Sequence, residues 1–193
     1  MARSKVFDED AALDRALRLF WRRGYHGTSI QDLVEHMGIN RGSLYNTFGG
    51  KQQLYRTALE RYQKRHRDSA LGLTRNAASP VASLRHLLQM TVEEALHDTE
   101  LKGCFLVNAT TELATADSDV NGIVYRNALD FAHELQSLVA AGQQMEQFRA
   151  DLDPAQAAAF LIHLINGMWV QARLNPQRDQ LESTVELAFR ALT

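Results

Sequence analysis

A chain of 193 residues that is 45% hydrophobic is long enough to bury a substantial core, as one large domain or two small ones. Its single Cys excludes an internal disulfide and every multi-cysteine zinc motif, and no apolar run approaches the roughly 18 residues of a membrane span. The formal net charge of -2 implies no polyanionic partner by itself, but residues 1–67 hold 13 Lys and Arg against 7 Asp and Glu, while the remainder holds 8 against 16. A basic front on an acidic body suits a nucleic-acid reader attached to a module of another kind. With only 3 Pro, 11 Gly and no strand-like alternation, the chain reads as all-α, with about nine helices. The N-terminal MARSKVFDED lacks a signal-peptide core, so a soluble, cytoplasmic protein without membrane contact is expected.

In chain order, Leu13, Ala16, Leu17 and Phe20 recur at helical spacing and give a first helix one apolar face. After a Gly24-Tyr25 turn, Thr28 or Ser29 offers a capping hydroxyl to a second helix with Ile30, Leu33, Val34 and Met37 inward. Gly38 ends it, because glycine accepts the left-handed conformation favoured just past a helix C-terminus. Asn40 then caps a short third helix anchored by Leu44 and Phe48, turning Arg41, Gly42, Ser43, Tyr45, Asn46 and Thr47 outward. Such a helix is about 10 Å long and fits a major groove about 12 Å wide. Arg and Asn suit guanine and adenine edges, whereas Ser, Thr and Tyr hydroxyls suit phosphates. Gly42 removes a side chain where backbone and DNA would approach. Lys51 opens a fourth helix, where its charge and the free N–H groups can grip one phosphate. Three amphipathic helices of an ordinary bundle would show the same apolar spacing, but a solvated face usually includes an acidic residue and this outer face has none.

The whole segment 13–59 resembles the DNA-binding head of the TetR family of transcriptional regulators. The matching features are Ala16, Phe20, Gly24-Tyr25, Thr28-Ser29-Ile30, Gly38, the run Asn40 to Tyr45, Phe48 and Lys51-Gln52-Gln53-Leu54. The resemblance implies a helix-turn-helix head over residues 1–50 and an effector-binding, dimerising body over 51–193. It implies DNA contacts from Thr28, Ser29, Asn40, Arg41, Gly42, Ser43, Tyr45, Asn46, Thr47 and Lys51.

In the body, a fourth helix over 51–73 turns Leu54, Tyr55, Ala58, Leu59 and Tyr62 inward, and Ser79-Pro80 starts a fifth carrying Leu84, Leu87, Leu88, Val92 and Leu96. A short sixth helix over 104–114 and a long seventh over 118–144 follow. Asp153-Pro154 is an N-cap followed by proline at the first helical position, opening an eighth helix to residue 174, and a ninth spans 177–192. The eighth is apolar nearly all round, so it needs cover on more than one side. A central helix of a monomer would meet that need. The family resemblance implies instead a symmetric interface of the last two helices with a second copy, assigned here to Ala158, Gly167, Met168, Trp169, Val185 and Phe189. A two-fold dimer reads a palindrome, which one short recognition helix does not.

The stretch Lys102 to Ala114 resembles one found in a branch of TetR regulators, some of which respond to electrophiles or oxidants through its cysteine. Cys104 has two readings. At a helix N-terminus beside Lys102, its thiolate would be favoured by the dipole and the cation. Followed by Phe105, Leu106 and Val107, it would instead be a small core residue. Met90, Glu94, His97, Cys104, Phe105, Asn108, Glu112, Tyr125, Phe131, His163, Asn166 and Trp169 are candidates to line an effector pocket, each with core packing as its alternative. No HExxH pair, nucleophile elbow or phosphate-cradling glycine loop occurs, so neither an enzyme nor a bound metal or cofactor is expected. The expected protein is a homodimeric repressor on a palindromic double-stranded operator, released by a small-molecule or electrophile effector.

Overall fold

A computed structural model describes residues 7–76 and 78–193, over 68–76 by the backbone alone. Among the described residues there are helices and turns only. The helices are α1 Glu9–Arg23, α2 Ile30–Met37, α3 Arg41–Phe48, α4 Lys51–Asn76, α5 Pro80–His97, α6 Phe105–Glu112, α7 Ser118–Gln144, α8 Pro154–Ala172 and α9 Arg178–Leu192. No helix among these residues is long and apolar enough to cross a membrane.

The caps explain most boundaries. Ser29 accepts the Asp32 N–H while Asp32 accepts the Ser29 N–H, a reciprocal box that starts α2. Gly38, at φ +69°, closes α2 in the left-handed region, and the Arg15 Nε–H adds a bond to the Met37 carbonyl at 3.0 Å. Asn40, Ser79, Asp117 and Asp153 cap α3, α5, α7 and α8. Two boundaries depart from expectation. Helix α4 continues to Asn76 rather than stopping at 73, because the next proline lies only at residue 80. Helix α6 is shorter than 104–114: Cys104 sits outside it without a side-chain cap bond, and Leu113 leaves helical geometry at φ -130°.

Two buried clusters organise the chain. One joins the inner faces of α1, α2 and α3 to Leu54, Tyr55, Ala58, Leu59 and Tyr62 of α4, to Phe105 and Ala109 of α6, and to the start of α7. The other joins α5, the rest of α7, α8 and α9 around Leu84, Leu88, Leu135, Leu161 and Phe189. The first cluster runs across residue 50, so the head shares its core with α4 and α6. Tyr55 is its hub: its ring meets Phe20, Tyr25 and Phe105 edge-on at centroid distances of 5.0, 5.2 and 5.4 Å.

Candidate nucleic-acid interface and body cavity

Leu44 and Phe48 bury one side of α3, so Arg41, Gly42, Tyr45 and Asn46 stand exposed and Ser43 and Thr47 half-buried. The Arg41 guanidinium lies 5.8 Å from the Tyr45 ring centroid. The Asn40 Oδ1 accepts the Ser43 N–H at 2.8 Å, so this side chain holds the helix start. A Cβ added at Gly42 would meet only Asn40 Oδ1, at 3.4 Å, leaving that surface open outward. Among the described residues the face of α3 is a polar, acid-free ridge of the kind that enters a major groove.

Three flanking candidates are tied into the protein. Thr28 is corrected: it is 1% exposed, and its hydroxyl donates to the Gly24 carbonyl at 2.7 Å, so it locks the α1–α2 turn rather than facing outward. The Ser29 hydroxyl is exposed but donates to Asp32 at 2.5 Å as part of the α2 cap. Lys51, at the start of α4, is half-buried with its ammonium 4.1 Å from the Tyr25 ring centroid. Burial pulls its pKa down against the opposing pull of Glu112 and Asp32.

Glu112 is the second correction. It does not line a cavity; at the end of α6 its carboxylate accepts the backbone N–H groups of Tyr25 at 3.0 Å and His26 at 2.8 Å. The fit is close, since a Cβ on Gly24 would lie 2.7 Å from Glu112 Oε2. The other end of α6 is held too, by Trp21 Nε1–H donating to the Gly103 carbonyl at 2.7 Å. Arg56 of α4 meanwhile bonds Asp117, the N-cap of α7, at 3.0 Å. Glu112 therefore fastens the α1–α2 turn to α6 by two hydrogen bonds, while Trp21 ties α1 to the loop that leads into α6.

A cavity of about 180 Å³ lies behind α6, between α4, α5, α7 and α8. Of the residues singled out from sequence, Met90, Glu94, Cys104, Phe131, Asn166 and Trp169 line it. The others do not. His97 is exposed, its Nδ1 2.8 Å from the Glu93 carbonyl oxygen, and His163 is exposed on α8. Tyr125 is 61% exposed, and Phe105 is buried in the head cluster, edge-on to Tyr62. Asn108 donates to the Lys102 carbonyl at 2.8 Å and accepts from Arg173 at 3.0 Å, which braces α6 against α8. Helical register explains the misses: on a helix leaning past two neighbours, a shift of one residue turns a side chain by about 100°.

Sequence reading missed the α4 wall and most of the α7 wall. Tyr62 and His66 are one turn apart on α4, and Asn127, Phe131 and Glu134 share one face of α7. That spacing is visible in sequence, but only the packing says which face meets the space. At the rim Arg67 donates to Asp130 at 2.7 Å, joining α4 to α7.

Cys104 faces the cavity, with the Tyr62 hydroxyl donating to its Sγ at 3.7 Å. Burial pushes its thiol up, against the smaller downward pull of the Val107 N–H and Tyr62. Lys102 does not help a thiolate: its ammonium bonds Asp98 at 2.7 Å and Glu100 at 3.0 Å. Of the two readings of Cys104, these surroundings favour the small core residue over the activated thiolate.

The interface assignments also change. Ala158, Met168, Trp169, Val185 and Phe189 are each at most 9% exposed, packed inside the chain's own core. Gly167 is exposed, and a Cβ there would meet nothing within 4 Å. The outward apolar side chains of α8 and of the turn after it are instead Phe160, Val170 and Leu174, at 42%, 53% and 65% exposure. Leu187 of α9 adds 62% exposure.

Comparison with known proteins agrees with this geometry. A model of the bacterial regulatory proteins of the tetR family matches residues 12–58, and a tetracyclin repressor-like C-terminal domain matches residues 80–188. The HTH-type transcriptional repressor ComR of Escherichia coli (strain K12) is 34% identical over 203 residues, covering 98% of this chain and 90% of its own. The repressor DhaR of Mycobacterium sp. (strain GP1) is 25% identical, over 100% of this chain and 94% of its own. A cysteine-substituted form of the regulator CifR, solved in complex with 26-base-pair double-strand operator DNA, has a TM-score of 0.87 at 32% identity, covering 98% of this chain and 99% of that one. With both halves matched and a repressor 34% identical over nearly its whole length, the chain belongs to the TetR family of DNA-binding transcriptional regulators.

Proposed function

We propose that the protein is a homodimeric repressor whose two α3 helices read the halves of a palindromic operator and whose cavity takes the releasing effector. The observation that carries the reading is the exposed α3 ridge of Arg41, Tyr45 and Asn46, held by a head whose turn is fastened to α6. Arg41 and Asn46 are suited to base edges, while Ser29, Ser43, Tyr45, Thr47 and Lys51 lie around them as phosphate contacts. The operator complex of CifR, at 32% identity, supports this docking.

A second copy is supported by the exposed apolar side chains Phe160, Val170, Leu174 and Leu187 of α8, the turn after it and α9, since side chains of that size are better covered than wet. Dimerisation places two heads on adjacent grooves about 34–36 Å apart. Because α6 lines the cavity through Leu106 and grips the α1–α2 turn through Glu112, an effector that favours a displaced α6 would change the head spacing and release DNA.

Footprinting on the DNA flanking its own gene is expected to show a palindromic site. Arg41→Ala should change base preference at one position per half-site, by about 1–3 kcal/mol. Val170→Glu with Leu187→Glu should sediment as a helical monomer with poor operator affinity. No palindromic site, or an intact dimer in the double variant, would overturn the corresponding half of the proposal.

A further inference from the structure

The cavity has a chemical character that narrows what it holds. Its apolar surface comes from aromatic and aliphatic side chains, with Tyr62, Phe131 and Trp169 on three different helices. Its ionisable groups are unbalanced. Glu94 projects from α5, Asp130 and Glu134 from α7, and the charged base among the described lining residues is Arg67. Arg67 spends its hydrogen bond on Asp130 at the rim. Neither Glu94 nor Glu134 makes a salt bridge with a described residue. His66 does not compensate them, because burial pulls its pKa down and favours the neutral ring.

We propose that this cavity is a site for a small organic cation, a protonated amine or quaternary ammonium on a body of about one ring, with Glu94 and Glu134 as its counter-charges. The inference rests on reading the cavity as an effector site and names the class of effector. Glu134 is half-buried at the wall of this space and Glu94 keeps an edge in solvent, so each gives up part of its hydration without a cation in return. Burial raises both Glu94 and Glu134, and Arg67 offsets only part of the effect at Glu134. An incoming cation restores what burial removed, and the aromatic faces attract it further. An anion would meet two carboxylates across a partly desolvated space and be repelled. Volume sets the size: about 180 Å³ is little more than the roughly 150 Å³ cavity that holds a benzene. A bare metal ion is the poorer occupant, because no group of three or more His, Cys, Asp or Glu among the described residues is placed to hold one.

The test compares three probes of nearly equal size, benzylammonium, benzyl alcohol and benzoate, by calorimetry on the full chain at neutral pH. Benzylammonium should bind about tenfold tighter than benzyl alcohol, with benzoate weakest. Glu94→Gln and Glu134→Gln should each cut the cation's advantage roughly fivefold while benzyl alcohol affinity stays within about twofold, which also shows that the cavity still folds. Benzoate binding as tightly as the cation, a cation-to-alcohol ratio unchanged in the double Gln variant, or no binding by any probe would overturn the inference. Operator release is read separately by anisotropy of the footprinted DNA. A cation that binds with this pattern but leaves the operator occupied would refute the effector reading and leave the cation site standing.

Discussion

Glu112→Ala is the sharpest perturbation of the head-to-body joint. The carboxylate accepts two backbone N–H groups at 3.0 and 2.8 Å, and one of the two sites is half-buried. Hydrogen bonds to a charged acceptor contribute about 1.5–3 kcal/mol each. Water can replace the bond at exposed His26 but less well at Tyr25, which brings the expected loss to about 3 kcal/mol for the pair. For a chain of this size about 1 kcal/mol moves the melting temperature by roughly 2–4 °C, so a drop of about 6–12 °C follows. Glu112→Gln keeps one oxygen acceptor and should fall about half as far. The same variants should weaken operator binding, because the turn they release carries Lys51's partner Tyr25 and leads into α2. Thermal unfolding by circular dichroism, paired with operator anisotropy, reads both effects. A melting temperature within about 1 °C of the parent for Glu112→Ala would refute the reasoning, since the two bonds would then carry no net weight.

Two further outcomes follow from the same contacts. Burial alone would raise Asp117, but Gln52, the Val120 N–H and Arg56 outweigh it and hold the carboxyl at about 2. A depressed folded pKa gives stability that is present above the unfolded value of about 3.9 and is lost as pH falls through about 2. Asp117→Asn should therefore lower stability by about 1–2 kcal/mol at pH 7, with the gap to the parent closing between about pH 4 and pH 2 in an acid titration followed by circular dichroism. For Cys104, native alkylation should be slow at neutral pH and speed up only above the titration of an ordinary thiol, since burial raises it and Lys102 is already paired. Fast modification of the folded protein at pH 7, lost in Cys104→Ser, would reverse that conclusion and restore the sensor role.

Local chemistry wrote the helix boundaries into the chain. Ser29 with Asp32, Asn40, Asp117 and Asp153-Pro154 each act within a few residues of themselves, so their caps are legible without the fold. The exposed polar ridge of α3 was legible for the same reason: Leu44 and Phe48 on one side leave Arg41, Tyr45 and Asn46 on the other in any packing of that helix. Thr28 was misread because a hydroxyl near a helix start can serve the turn before it as readily as a partner outside.

What only the tertiary structure decided is where faces of long helices meet. Glu112 and Asn108 lie on the same short helix as cavity-lining Leu106, yet one reaches the α1–α2 turn and the other braces α8, through partners 87 and 65 residues away in the chain. On α8 nearly every position is apolar, so periodicity has no polar side to contrast with it, and Trp169 and Phe160 look alike in sequence. Packing against α5 and α7 turned Trp169 to the cavity and left Phe160, Val170 and Leu174 outward. Likewise Lys102 beside Cys104 suggested a reactive thiol until the loop folded Asp98 and Glu100 onto that cation. Short-range caps and amphipathic spacing belong to the sequence because their partners are neighbours on the chain. The cavity, the joint to the head and the state of the thiol depend on side chains brought together from distant segments, and only the fold settles those meetings.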